Sequence, residues 1–124
     1  MKKDPVRERL KQLGTSEPVV RSGLEGLVNK WESVAAQIAS GYKLDRDSYL
    51  NDVDVRQLIE EVVRAVPDVA PEMLKRIQVA DELTKRSTVP SKCVWGDDVA
   101  RKEGWTRKAN WWYYVIPKPM SDML

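Results

Sequence analysis

The stretch GLEGLVNKWESVAAQIAS, residues 23–40, decides the fold of this chain. Leu24, Leu27, Val28, Trp31, Val34, Ala35 and Ile38 recur at helical spacing and form one continuous apolar stripe. Glu25, Asn29, Lys30, Glu32, Ser33 and Gln37 fill the opposite side. Ser22, three residues before Glu25, completes a capping-box pattern, in which each side chain accepts from the other's backbone N–H. Gly41 stands where a left-handed C-terminal cap is favoured. A helix of this length with one greasy side needs partners to cover it.

Two further stretches supply them. Val55, Leu58, Ile59, Val62 and Val66 share one face of a helix over about 53–66, with Asp52 or Asp54 as its cap. Pro67 ends it, because the residue before proline is pushed out of the helical region. Met73, Leu74, Ile77, Ala80 and Leu83 line a third helix over about 69–86. Asp68 is its expected cap, and Pro71 is tolerated in the first turn. Residues 42–51, rich in Asp and Ser, read as the polar link between the first two. The expected fold is therefore mainly α, with a three-helix antiparallel bundle core.

The C-terminal third has another texture. Lys92–Trp95 and Trp111–Ile116 are short and rich in aromatic or β-branched residues, which predicts strands. Asp97–Glu103 predicts one or two helical turns ending at Gly104. These add a short C-terminal helix and a small two-stranded β element, or an extended aromatic tail, lying across the bundle because such a ribbon is marginal alone. Residues 1–16 are set apart as a flexible or partner-ordered N-terminal appendage. Val6, Leu10 and Leu13 make only a thin helical stripe there. Residues 17–124 form a single helical domain whose aromatic extension covers about 91–118.

Composition narrows the chemistry. The 124 residues include no histidine, no phenylalanine and one cysteine, Cys93. Without histidine the commonest general base and metal ligand are both missing, and a Cys–His pair cannot form. One thiol allows no intrachain disulfide and no four-ligand zinc site. An EF-type calcium loop starting at Asp45 fails, because Tyr49, Leu50 and Arg56 occupy positions that require an oxygen ligand, a glycine and a glutamate. No P-loop, dinucleotide turn or nucleophile elbow is present. The sequence thus points to a protein that is not an enzyme and uses no cofactor or metal.

No apolar run is long enough to span a bilayer, and no apolar segment follows the basic start as a secretory signal would require. A cytoplasmic, bacterial-style protein is the expectation. The net charge of +2 conceals an uneven distribution. Residues 1–11 hold five Lys/Arg against two Asp/Glu, residues 41–84 hold six against ten, and residues 85–118 hold eight against three. Such a chain can fold its acidic middle onto its basic ends, pair head to tail with a second copy, or present a basic face, and the plainest reading is a solvated mixed surface.

Trp105, Trp111, Trp112, Tyr113 and Tyr114 are the candidate protein-binding residues. Strand alternation would place Trp111, Tyr113 and Val115 on one face and Trp112, Tyr114 and Ile116 on the other. One face would pack on the bundle. The other would meet a homodimer mate or a specific protein partner, since exposed Trp and Tyr give large contact area at low entropic cost. Toxin neutralisation or immunity is one instance of such a role. The alternative is nucleic-acid binding by Arg101, Lys102, Arg107, Lys108 and Lys118, with the rings stacking on bases. Ala100 and Gly104 also match the spacing of a helix-turn-helix, whose recognition helix would be Arg107–Tyr114.

Overall fold

The computed structural model describes residues 4–118. The described chain is mainly helical and carries a small two-stranded antiparallel sheet. Its elements run α1 (Pro5–Gln12), α2 (Glu17–Ala39), α3 (Arg46–Ala65), α4 (Pro71–Arg86), β1 (Thr88–Pro90), α5 (Asp97–Glu103), a 3-10 turn (Trp111–Tyr113) and β2 (Val115–Pro117).

Helix α2 is the spine. It packs along both α3 and α4. All seven residues of its apolar stripe are buried, with Trp31 wholly enclosed. The hinge at its start differs from the expected capping box. Gly23 takes φ 65° and ψ −158° and divides α2 into two helical pieces. The Ser22 hydroxyl donates to the Pro18 carbonyl instead of capping a new helix. This kink brings Ser22 so close to Gly26 that a Cβ there would lie 2.3 Å from the Ser22 Cβ. Glycine at 26 is thus a packing requirement.

Within residues 4–16, the stripe Val6, Leu10 and Leu13 belongs to α1 and its C-terminal end. Asp4 caps α1 by accepting from the Val6 and Arg7 N–H groups, with Pro5 in the first turn. Leu10 is fully buried, and Arg9 donates to Glu61 of α3 at 2.9 Å. Residues 1–3 and 119–124 lie outside the described residues.

The polar link is helical from Arg46 onward, where it proves to be the first part of α3. Asp45 caps the helix by accepting from the Ser48 N–H, and this bond holds its carboxyl below the usual range. Tyr49 and Leu50, one turn before Val53, are buried in the core. At α4 the residue before the first turn is Ala70, not the expected Asp68.

The strands are also displaced from their expected places. β1 is Thr88–Pro90 rather than 92–95, and it pairs with Val115–Pro117 in the register Val89 to Ile116. Trp111–Tyr113 forms a 3-10 turn instead of the start of a strand.

Candidate functional site

The C-terminal aromatic segment is held against α3 by a ladder of polar side chains. The Tyr49 hydroxyl donates to the Val115 carbonyl at 2.7 Å. Asp54 Oδ1 accepts from the Tyr113 hydroxyl at 2.7 Å and from Trp95 Nε1 at 3.0 Å. Asn110 Nδ2 donates to Gln57 Oε1 at 3.0 Å. The Arg56 guanidinium lies 4.5 Å from the centre of the Trp112 ring. Tyr49, Asp54, Arg56 and Gln57 all belong to α3, so one helix positions the whole segment. Sequence reasoning took Asp52, or Asp54 paired with Gln57, for the cap of this helix and gave Arg56 no role. Asp54 and Gln57 meet partners more than forty residues away, and Arg56 meets Asp81 across twenty-five, so no local pattern could reveal them.

Arg56 also closes a network between three helices. Its Nε and Nη2 donate to the two oxygens of Asp81 on α4, at 2.9 and 3.0 Å. Asp81 Oδ1 accepts as well from Trp31 Nε1 of α2 at 2.9 Å. Glu60 bridges Arg56 and Arg64. A separate cluster joins α4 to α2, where Arg76 pairs with Glu25 and Glu32. The Arg76 hydrogen bond lowers the Glu32 pKa, more than burial raises it.

The expected site residues divide into two groups. Trp112 and Tyr113 are each 1% exposed and belong to the interior, which corrects their reading as partner-binding residues. In a strand these neighbours would face opposite ways, whereas the 3-10 turn sends both inward. Trp105, Trp111 and Tyr114 are half-buried and form a rim outside them. Trp105 stacks on Tyr113 at 4.0 Å between ring centres. Lys85 lies over Trp111 and Arg107 over Tyr114, at 4.7 and 5.1 Å from the ring centres. The Tyr114 hydroxyl donates to the Trp105 carbonyl at 3.2 Å, which sets those two side by side.

The basic candidates are all exposed. Arg101 pairs with Asp98, and Arg107 is engaged by Tyr114. Lys102 and Lys108 project from α5 and the turn after it. The helix-turn-helix reading is overturned. Thr106–Asn110 is a turn closed by the Asn110 and Thr106 side chains and Trp111–Tyr113 is a 3-10 turn, so Arg107–Tyr114 forms no recognition helix. Cys93 is buried. Among the described residues no group of three or more acidic or thiol side chains is placed to hold a metal ion. No described helix is long and apolar enough to cross a membrane.

A groove of about 340 Å³ separates α3 from α4 beside this rim. Ile59, Val63, Leu74 and Ile77 line it, and Arg56, Asp81 and Lys85 stand at one end. Leu74, read from sequence as a core residue, is 43% exposed there. No protein-family model, curated protein or solved structure matches this chain.

Asp54 supports a prediction about how the segment is held. Burial raises its pKa, while the bonds from Tyr113 and Trp95 pull the other way. A carboxyl whose folded pKa lies above its unfolded value binds more protons in the folded state. Its contribution is therefore most favourable below the unfolded pKa and declines as pH rises through the folded one. Both donors meet Oδ1, which an amide oxygen can replace. Asp54→Asn should match or exceed the wild type in stability at pH 7, and that advantage should shrink on acidification toward pH 4. Asp54→Ala, which leaves two donors without an acceptor, should lose about 2 kcal/mol. Urea unfolding at several pH values measures both. Equal losses at pH 7 would show that the charge itself is needed.

Proposed function

We propose that this chain is a small non-enzymatic protein-binding module, with α2, α3 and α4 as an antiparallel three-helix core and the C-terminal rim as its contact surface. The observation that carries the reading is the rim itself. Trp105, Trp111 and Tyr114 keep part of their rings open to solvent, yet each is fixed by a stacked ring, a cation or a hydrogen bond. Rigid aromatic rings lose little entropy on contact and dominate binding energy where they are enclosed by a partner. The partner is a second copy or another protein.

Nucleic-acid binding is the other reading. Its support is the exposed pair Lys102 and Lys108 near open rings. Two of the nearby cations are already engaged within the chain, and this favours the protein-binding reading.

Sedimentation of the purified chain across a concentration series tests self-association, and affinity capture followed by direct titration tests a second protein. Trp111→Ala and Tyr114→Ala should each weaken the contact about tenfold or more. Their unfolding midpoints should stay near that of the wild type, and the affinity should change little with salt. Variants that bind like the wild type would overturn the rim as the site. A steep fall of oligonucleotide affinity with salt, abolished by Lys102→Glu and Lys108→Glu, would favour the other reading.

A further inference from the structure

Between α1 and the start of α2 lies an open hollow of about 560 Å³, lined by none of the rim residues. Its lining includes Arg7 and Lys11 from α1 and Arg21 from α2, with Glu17 as the acidic member. Arg7 and Lys11 are four residues apart, so they share one helix face and repel each other. Arg7 is held in place. Its Nη2 donates to the Arg21 carbonyl at 3.1 Å, and its Nη1 lies 3.4 Å from Asp4.

Lys11 and Arg21 are different. Neither side chain makes a hydrogen bond or ion pair with a described residue, as is also true of Arg86, Lys43 and Lys75, but Lys11 and Arg21 share a concavity with a third, oriented cation. Three cations from two helices thus converge on one concavity, one oriented by the backbone and two uncommitted. An oriented guanidinium beside free cations is the arrangement that recognises a tetrahedral oxyanion, because several charge-assisted bonds can form at once. Val20 gives the hollow a buried apolar base.

We infer that the Arg7–Lys11–Arg21 hollow binds a phosphate group. The phosphate could belong to a small free compound or to a nucleic-acid backbone. The site is separate from the aromatic rim, so it stands whether or not the rim binds a protein.

Calorimetric titration of the full chain at low salt tests it, with inorganic pyrophosphate in one arm and a short single-stranded oligonucleotide in the other. Pyrophosphate should bind, and Lys11→Ala and Arg21→Ala should each weaken it about tenfold without moving the unfolding midpoint. Lys43→Ala, which removes an exposed lysine outside the hollow, should leave binding unchanged. Oligonucleotide binding that falls in the same variants assigns the phosphate to a nucleic acid. Pyrophosphate binding alone assigns it to a small compound. No heat with pyrophosphate, or equal weakening in Lys43→Ala, overturns the site.

Discussion

Replacing Arg56 with methionine should destabilise the protein by about 3–5 kcal/mol, because it strips a nearly buried ion pair of one partner. The Arg56 side chain is 9% exposed and that of Asp81 15%. Water reaches Asp81 only from the groove beside it, so it replaces the two lost guanidinium N–H groups incompletely. Asp81 would keep only the Trp31 indole, and the Trp112 ring would lose the cation stacked on it. Three helices and the C-terminal turn meet at this one guanidinium, so the loss is shared among all of them. A second substitution separates the pair's net worth from the penalty of an orphaned charge. In Arg56→Met with Asp81→Asn, no carboxylate is stranded and the amide oxygen still accepts from Trp31. The double variant should recover at least about 1 kcal/mol relative to Arg56→Met alone, as replacement of a buried pair usually costs less than breaking it. Urea unfolding with an unchanged slope is the appropriate measurement. A single variant within about 1 kcal/mol of the wild type would mean that Asp81 finds other donors and that the network is not what holds α3 to α4.

The helices themselves were legible because their apolar residues follow the 3.6-residue period without interruption. Leu24 to Ile38 read as one stripe and are buried as one stripe. The start of α3 was hidden for a physical reason. Tyr49, Leu50 and Val53 follow helical spacing, but Asp47, Asn51, Asp52 and Asp54 crowd the same window and resemble a loop. Two of those carboxylates are acceptors for buried phenols, Asp52 for Tyr42 and Asp54 for Tyr113. Their tolerance inside the fold depends on donors that local sequence does not show. The Trp-Trp-Tyr-Tyr run misled in the opposite direction. Its β propensity is real, but propensity in strands largely reports packing against neighbours. Here the neighbours are Arg56, Asp54 and Lys85, and a tight turn satisfies them better than an extended chain does. The uneven charge was legible in outline. Arg9 on Glu61 brings the basic start onto the acidic middle, as one expected arrangement required. Which rings would remain at the surface was not legible, since that depends on the turn.

The adjacent rings Trp111 and Trp112 should therefore respond oppositely to truncation. Trp112→Ala should cost about 3–5 kcal/mol, because it empties a large volume in a close-packed interior and removes the ring under Arg56. Trp112→Phe should cost far less than the lost volume suggests. The buried indole Nε1 of Trp112 has no hydrogen-bond partner among the described residues. An unpaired buried donor carries a penalty of about 1–3 kcal/mol, and phenylalanine removes it while keeping a ring face toward the guanidinium. Trp111→Ala should shift stability by about 1 kcal/mol or less, since that ring is half in solvent and rests under Lys85. Its effect should appear in binding instead. Thermal and urea unfolding of the three variants, read beside their affinities, distinguish a ring that builds the fold from a ring that faces a partner. If Trp112→Ala unfolds at the wild-type midpoint, the turn does not anchor the tail, and the division between inner and outer rings collapses. If instead Trp111→Ala alone weakens binding while Trp112→Ala alone weakens the fold, one 3-10 turn serves both purposes through two successive tryptophans.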